Sequence, residues 1–441
     1  MRSLNKYIVL TALLVPVYTG FSQVMSLPDL LTVAIEQNLE IRITRNEQEI
    51  ADNNYTRGNA GYLPNVNFST GYSGTFNNQY YKEEAGDRIT NRNMNSDSYN
   101  VGVNLNWTVF DGFSVQTRYE KLYELSRQGE INTMIAVEDI ASSVTSAYYD
   151  LLQQKIRLRN YQYAVDLSRE RLSIVELRKF TGAGSGLEVL QAQVDFNSDS
   201  AALLRQEQNI RSASIELTRL MAQSDFAEII DISDTSIYLH RIPDIGELLD
   251  QTYEKNTSLI LAESGERVAY LDYKATRSDY FPSLIFNGGY GYQFSKSDAS
   301  VYKNQGTLGF NYGLTIGFNI FDGNNRSRVR KNAKIQMDNI ALARENLEIS
   351  IKSQLFEYWT AHRNNLLLLD LEQQNLKVAQ ENYRTSMERY RLEELSGIEL
   401  REAQQNLLNA EDSLLAAEYN TKICEIVLMY LSGNIFQYFY R

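Results

Sequence analysis

The side chains that most often carry catalysis are scarce in this chain of 441 residues, which holds two histidines and one cysteine. His240, His362 and Cys424 stand far from one another, whereas a zinc-type site needs His or Cys ligands at short spacing. A single cysteine forms no intrachain disulfide. The run Gly182-Ala183-Gly184-Ser185-Gly186 places its glycines at the wrong offsets for a phosphate loop, a dinucleotide fingerprint or a nucleophile elbow. Neither an enzyme nor a cofactor or metal site is therefore expected. Glu399 and Glu402 are three residues apart, so their carboxylates share one face of any helix that carries them. The net charge of −12 argues against a nucleic-acid partner, and solubility accounts for it equally well.

The elements that would position such residues come in two copies. Residues 248–434 repeat residues 30–223. Asn38, Leu63 and Pro64 match Asn256, Phe281 and Pro282 at a spacing of 218. Phe110-Asp111-Gly112 matches Phe321-Asp322-Gly323, and Ser185-Gly186-Leu187-Glu188 matches Ser396-Gly397-Ile398-Glu399, both at 211. A period this long marks duplication of a whole structural unit, since solenoid repeats run to about 20–50 residues. The units are expected over 23–235 and 236–441, after a secretory signal over 1–22. Arg2 and Lys6 give that signal its basic start, and Ile8 to Val17 its apolar stretch. No later segment reaches the roughly 18 apolar residues of a membrane helix, so insertion must use strands.

Four segments alternate with period two, at about 65–77, 99–110, 283–295 and 307–321. In the second, Tyr99, Val101, Val103, Leu105, Trp107 and Val109 alternate with Asn100, Gly102, Asn104, Asn106 and Thr108. One face is aromatic and aliphatic, the other Asn and Gly. That is the pattern of an outer-membrane barrel, and each segment can cross a bilayer at about 9–11 residues. A soluble sandwich with one wet face is the alternative. The polar stretches 78–98 and 296–306 read as loops. Open sheet edges are not tolerated in lipid, and the smallest single-chain barrels have about eight strands. Four strands per chain thus call for several chains, and three would give twelve.

The remainder reads as helix, at about 113–180, 186–222, 324–394 and 398–431, with shorter helices at 28–61 and 244–280. From 137 to 175 an alternating three–four spacing marks coiled-coil packing. Each short helix plus the one after the turn nearly equals the long helix, so the two are expected to stack end to end beside it. Asp111 and Asp322 are candidate helix caps. Three chains would extend the barrel into a helical tube, and residues 224–242 are expected to link the halves outside it.

In their order, repeated twice, the Leu-Pro-Asn and Phe-Asp-Gly junctions, the hairpins and the strands resemble the TolC family of outer-membrane efflux proteins over nearly the whole mature chain. The resemblance implies an α+β membrane protein: a homotrimer with a 12-strand β-barrel in the Gram-negative outer membrane, in contact with its lipid, continued by a periplasmic α-helical barrel. It also implies docking to a periplasmic adaptor (membrane fusion) protein and an inner-membrane RND or ABC pump. Carried over residue by residue, it places Glu399 and Glu402 in an acidic ring at the periplasmic aperture, where family members usually carry Asp. A solvated helix start would favour the same glutamates. It makes Tyr390 and Glu188 the latch of a closed gate, although packing alone would also account for Tyr390. The arginine that assists the latch elsewhere is matched by Leu395, and Arg389 and Arg391 are the nearest replacements. A trimeric envelope stalk or adhesin anchored by a barrel is the rival function.

Overall fold

The computed structural model describes residues 24–82, 86, 88–298 and 302–436; the expected signal segment lies outside them. The first copy runs α1 (Leu27–Gln37), α2 (Leu39–Asn54), α3 (Arg57–Ala60), β1 (Asn65–Lys82), β2 (Arg88–Asp111), α4 (Ser114–Thr181) and α5 (Gly186–Leu220). The second runs α6 (Ile245–Lys255), α7 (Thr257–Ala275), β3 (Ser283–Ser297), β4 (Asn304–Gly317), α8 (Asn325–Arg391) and α9 (Gly397–Leu431).

The strands form one antiparallel sheet in the order β1-β2-β3-β4. Register places Tyr72 opposite Tyr99 and Tyr99 opposite Phe294, while Trp107 faces Phe286. Two aromatic rows result, eight residues apart along β2, which is about 20–26 Å of strand and matches the apolar band of a barrel. The opposite face is joined by polar side chains: Asn104 donates to Ser69 (3.0 Å) and Asn106 to Asn287 (2.9 Å). Segment 78–98 is not the expected loop. Most of it continues β1 and β2 as a ribbon beyond the upper aromatic row, with a bulge between Asn77 and Gln79. Its sequence is mostly polar and does not alternate, so it carries no amphipathic signal. β4 ends at Gly317 rather than 321 because its partner strand starts there: Gly317 pairs with Ser283, and Pro282 before it has no N–H to extend the ladder.

The helices repeat the order of the strands. α2 packs on α4, α4 on α7 and α7 on α8; below them α5 flanks α4 and α9 lies between α4 and α8. α4 has 68 residues and α8 has 67, each about 100 Å long. At each strand-to-helix return, two successive residues adopt the left-handed conformation: Gly112 and Phe113, then Gly323 and Asn324. Phe113 is held there by edge contacts with Phe110 and Phe281. The expected caps Asp111 and Asp322 act from two positions further back, accepting the N–H of Val115 (3.1 Å) and of Arg326 (2.8 Å).

The expected helices 28–61 and 244–280 are each broken, at Asn38 and Asn256. The Asn38 Oδ1 accepts from the N–H groups of Glu40 and Ile41, capping α2, and its Nδ2 donates to the Leu220 carbonyl at the end of α5 (2.8 Å). Asn256 does the same in the second copy, capping α7 and donating to Leu431 of α9 (2.9 Å). A buried asparagine thus splices each upper helix onto the lower one that returns from the turn. α1 leaves this line and buries Leu30 and Leu31 in the main core with Ile232 and Ile237 of the linker. Asn38→Ala removes a cap and strands a buried carbonyl, a loss of about 2–3 kcal/mol. Asn38→Asp keeps the cap but sets a carboxylate against that carbonyl, so a still lower urea midpoint is expected by circular dichroism. A midpoint equal to wild type in both variants would remove the splice.

Candidate functional site at the hairpin tips

Far from the sheet, two helical hairpins meet: α4–α5 from the first copy and α8–α9 from the second. α4 stops at Gly182, whose left-handed φ of 82° suits glycine and whose N–H closes on Lys179. The second turn has no glycine at the equivalent bend, and Glu393 takes the left-handed conformation instead (φ 66°). After each turn a capping box starts the next helix. Ser185 and Glu188 form one, Ser396 and Glu399 the other.

Two of the four expected site residues are thereby repeat equivalents with the same local task. Glu399 accepts both the Ser396 N–H (2.9 Å) and its hydroxyl (2.7 Å), and these bonds hold its carboxyl below the usual range. It therefore stays charged and exposed at the tip. Glu402 is exposed one turn further on. Glu188 lines the same cleft as Tyr390, of about 750 Å³, between the two hairpins. Burial pushes the Tyr390 phenol up, Arg178 and Arg171 pull it down, and the charge of Glu188 pushes it up again. Among the described hydrogen bonds, however, Glu188 serves its own helix and does not join Tyr390.

The cation at Tyr390 is Arg178, which sequence reasoning passed over. Its guanidinium lies 4.7 Å from the ring centroid and donates to the Tyr390 carbonyl (2.7 Å). Arg391 points elsewhere, to Glu170 of α4 (2.5 Å).

A buried charge network joins the hairpins just above. Arg401 of α9 reaches both oxygens of Asp199 on α5, at 2.7 and 2.8 Å, a fork-to-fork pair. Arg171 of α4, buried, pairs with Asp195 and donates to the Gly397 carbonyl (3.3 Å). Around it a small separate core packs Leu167, Val175, Tyr383, Met387 and Leu400 against Ala192, Ala379, Ala403 and Ala410, whose short side chains let the helices approach closely. The chemistry available here is charge presentation and reversible packing. Among the described residues no group of His, Cys, Asp and Glu is arranged to hold a metal ion.

A family model described as outer membrane efflux protein matches residues 30–223 and 248–434. The chain is 23% identical over 336 residues to the pyoverdine export outer membrane protein OpmQ of Pseudomonas aeruginosa, covering 75% of this chain and 68% of that one. It is 18% identical over 430 residues to the proteases secretion protein PrtF of Dickeya chrysanthemi, covering 94% and 90%. The CmeC outer membrane channel of Campylobacter jejuni superposes with a TM-score of 0.76 at 17% identity, over 93% of this chain and 86% of that one.

Proposed function

This chain belongs to the outer membrane efflux protein family, and from that premise we propose that three copies of it close a passive exit duct for efflux or secretion. It is an outer-membrane protein and not an enzyme, and the family match leaves the stalk reading without support.

The observation that carries the trimer is a pair of unsatisfied edges. In a membrane the free edges of β1 and β4 must find partners. Beneath β4, α8 buries Ile351, Leu355 and His362 toward α7 and α9. Its opposite side exposes Ile335, Leu342, Ile349 and Phe356 at a strict seven-residue spacing. Beneath β1, α5 buries Ala192, Ile210 and Leu217. Its opposite side exposes Leu187, Leu190, Val194, Leu204 and Ile215, and α2 adds Ile43 and Ile50 above them. One stripe lies at each end of the same layer, so a head-to-tail ring of copies buries both. Three copies bring twelve strands and a wet lumen lined by the Asn and Gly face; two would bring eight and leave little lumen.

Glu399 and Glu402 then form the ring at the periplasmic aperture, attracting cations and repelling anions. Tyr390, with Arg178 in the place of the missing arginine and Glu188 beside it, belongs to the latch. An adaptor docked on the tips biases the gate, and an inner-membrane pump supplies the energy. In planar bilayers the wild type should give small cation-selective steps, and Glu399→Gln/Glu402→Gln should bring the cation-to-anion permeability ratio down severalfold toward unity. Selectivity unchanged in the double variant would place the aperture elsewhere.

A further inference from the structure

A column of aromatic rings leaves the apolar face of the sheet and runs down one side of the helical layer. Trp107 of β2 donates its indole N–H to the Tyr62 carbonyl (3.0 Å). The Tyr62 ring meets Tyr119 edge-on at 5.7 Å, and Tyr119 stacks on Tyr55 at 4.8 Å. Tyr55 in turn meets Tyr123 at 5.6 Å, with the rings tilted by 57°. Tyr119 and Tyr123 are four residues apart on α4 and share a face. Because the column starts at Trp107 on the apolar side of the sheet, this face is the outer one. Indole and phenol rings favour the boundary between hydrocarbon and headgroups.

Along this column a pocket of about 490 Å³ opens among α2, α4 and α7, walled by Tyr55, Tyr119, Tyr123 and Tyr270. α4 adds the carboxylates of Glu120, which pairs with Lys274 at 2.6 Å, and of Glu124, which accepts from Ser264 at 3.1 Å and lies 3.7 Å from Arg127. Each carboxylate keeps further lone pairs for an incoming ammonium. α7 adds Arg267. Arg267 bonds Glu263 at 2.7 Å and lies 3.8 Å from Glu124, which leaves several of its five N–H donors unused. Aromatic faces beside carboxylates select an organic ammonium. A guanidinium on the facing helix selects a phosphate. The pocket lies within the first three turns of α4 below the sheet, on elements in the middle of the layer. The edges at α8 and at the far sides of α2 and α5 therefore do not cover it when copies assemble.

We propose that this pocket holds the headgroup of a phosphatidylethanolamine from the periplasmic leaflet. The ammonium sits among the tyrosines against Glu120 and Glu124, the phosphate lies on Arg267, and the acyl chains rise past Trp107 along the apolar sheet. The site rests on the reading of the sheet as the part that crosses the membrane.

The test reconstitutes the full chain in nanodiscs containing equal dioleoyl phosphatidylethanolamine and dioleoyl phosphatidylglycerol, then counts lipids retained on the released protein by native mass spectrometry. Phosphatidylethanolamine should be retained about tenfold over phosphatidylglycerol. The preference should vanish in Tyr119→Leu/Tyr123→Leu and persist in Tyr123→Phe, which keeps the ring face. Should the leucine pair fold poorly, Tyr270→Leu, at an exposed position, serves instead. Equal retention of both lipids by the wild type, or an unchanged preference in the leucine variants, would overturn the site. A protein that enters no nanodisc would overturn the membrane reading and the site together.

Discussion

Glutamate at Leu342 and Ile349 together will leave this chain monomeric. Both side chains are about 60% exposed in the single chain, so their replacement costs the isolated fold little. In the proposed ring each lies between α8 of one copy and α2 or α5 of the next. Losing an apolar side chain there and desolvating a carboxylate costs about 3 kcal/mol per site at each interface. The loss recurs at every interface of the ring, and sedimentation in detergent should show a single chain in place of a trimer. Gln354→Glu, exposed on α8 but off the stripe, should leave the assembly intact. A trimer that survives both glutamates would mean that the stripe faces something other than a second copy.

Cutting the Arg401–Asp199 pair should open the duct. Asp199 is almost fully buried and Arg401 is one-fifth exposed. Asp199→Ala strands the Arg401 guanidinium of the second hairpin against α5 of the first, with Asp195 left 3.7 Å away, and also takes an acceptor from Gln404. Removing one partner of a buried pair costs up to about 3–5 kcal/mol, which partial exposure here reduces to about 2. That cost falls on the state in which α9 lies against α5. An outward rotation of the α8–α9 hairpin breaks the pair anyway and escapes the loss, so the ratio of open to closed should rise roughly thirtyfold. Planar-bilayer recordings of the isolated trimer would show this as frequent large openings. The double exchange Asp199→Arg/Arg401→Asp should restore the closed state. Silent recordings from Asp199→Ala, beside a normal unfolding midpoint, would separate the network from the gate.

How far the sequence speaks depends on what each residue answers to. The strands showed themselves wherever one face meets lipid and the other water, as at Tyr99 to Val109. The pattern fell silent beyond about residue 77, where the sequence is mostly polar and no longer alternates. The long helices were plain because their buried positions repeat at three–four spacing, and the break at Asn38 was hidden because an asparagine that caps one helix while donating to another has no periodicity. At the tips, the match of Ser185-Gly186-Leu187-Glu188 with Ser396-Gly397-Ile398-Glu399 marked two equivalent helix starts, and the structure shows both as capping boxes. The charge network was not legible, because its partners lie about two hundred residues apart. Its trace was a departure from the repeat. Arg401 stands where the first copy has Leu190, while Asp195 and Asp199 stand where the second has Asn406 and Ala410. Two copies that pack against each other can complement one another only where they cease to be alike.

The asparagine splices also determine how a load would travel. α4 and α8 are unbroken columns, so a push or twist applied at the tips passes along them without a joint. The columns beside them are pieced. α5 meets α2, and α9 meets α7, across one side-chain hydrogen bond each. Under torsion the pieced columns yield first, at half height, and the strands above feel only what the continuous ones transmit. In the proposed duct, the tip end would thus deform while the strands stay sealed.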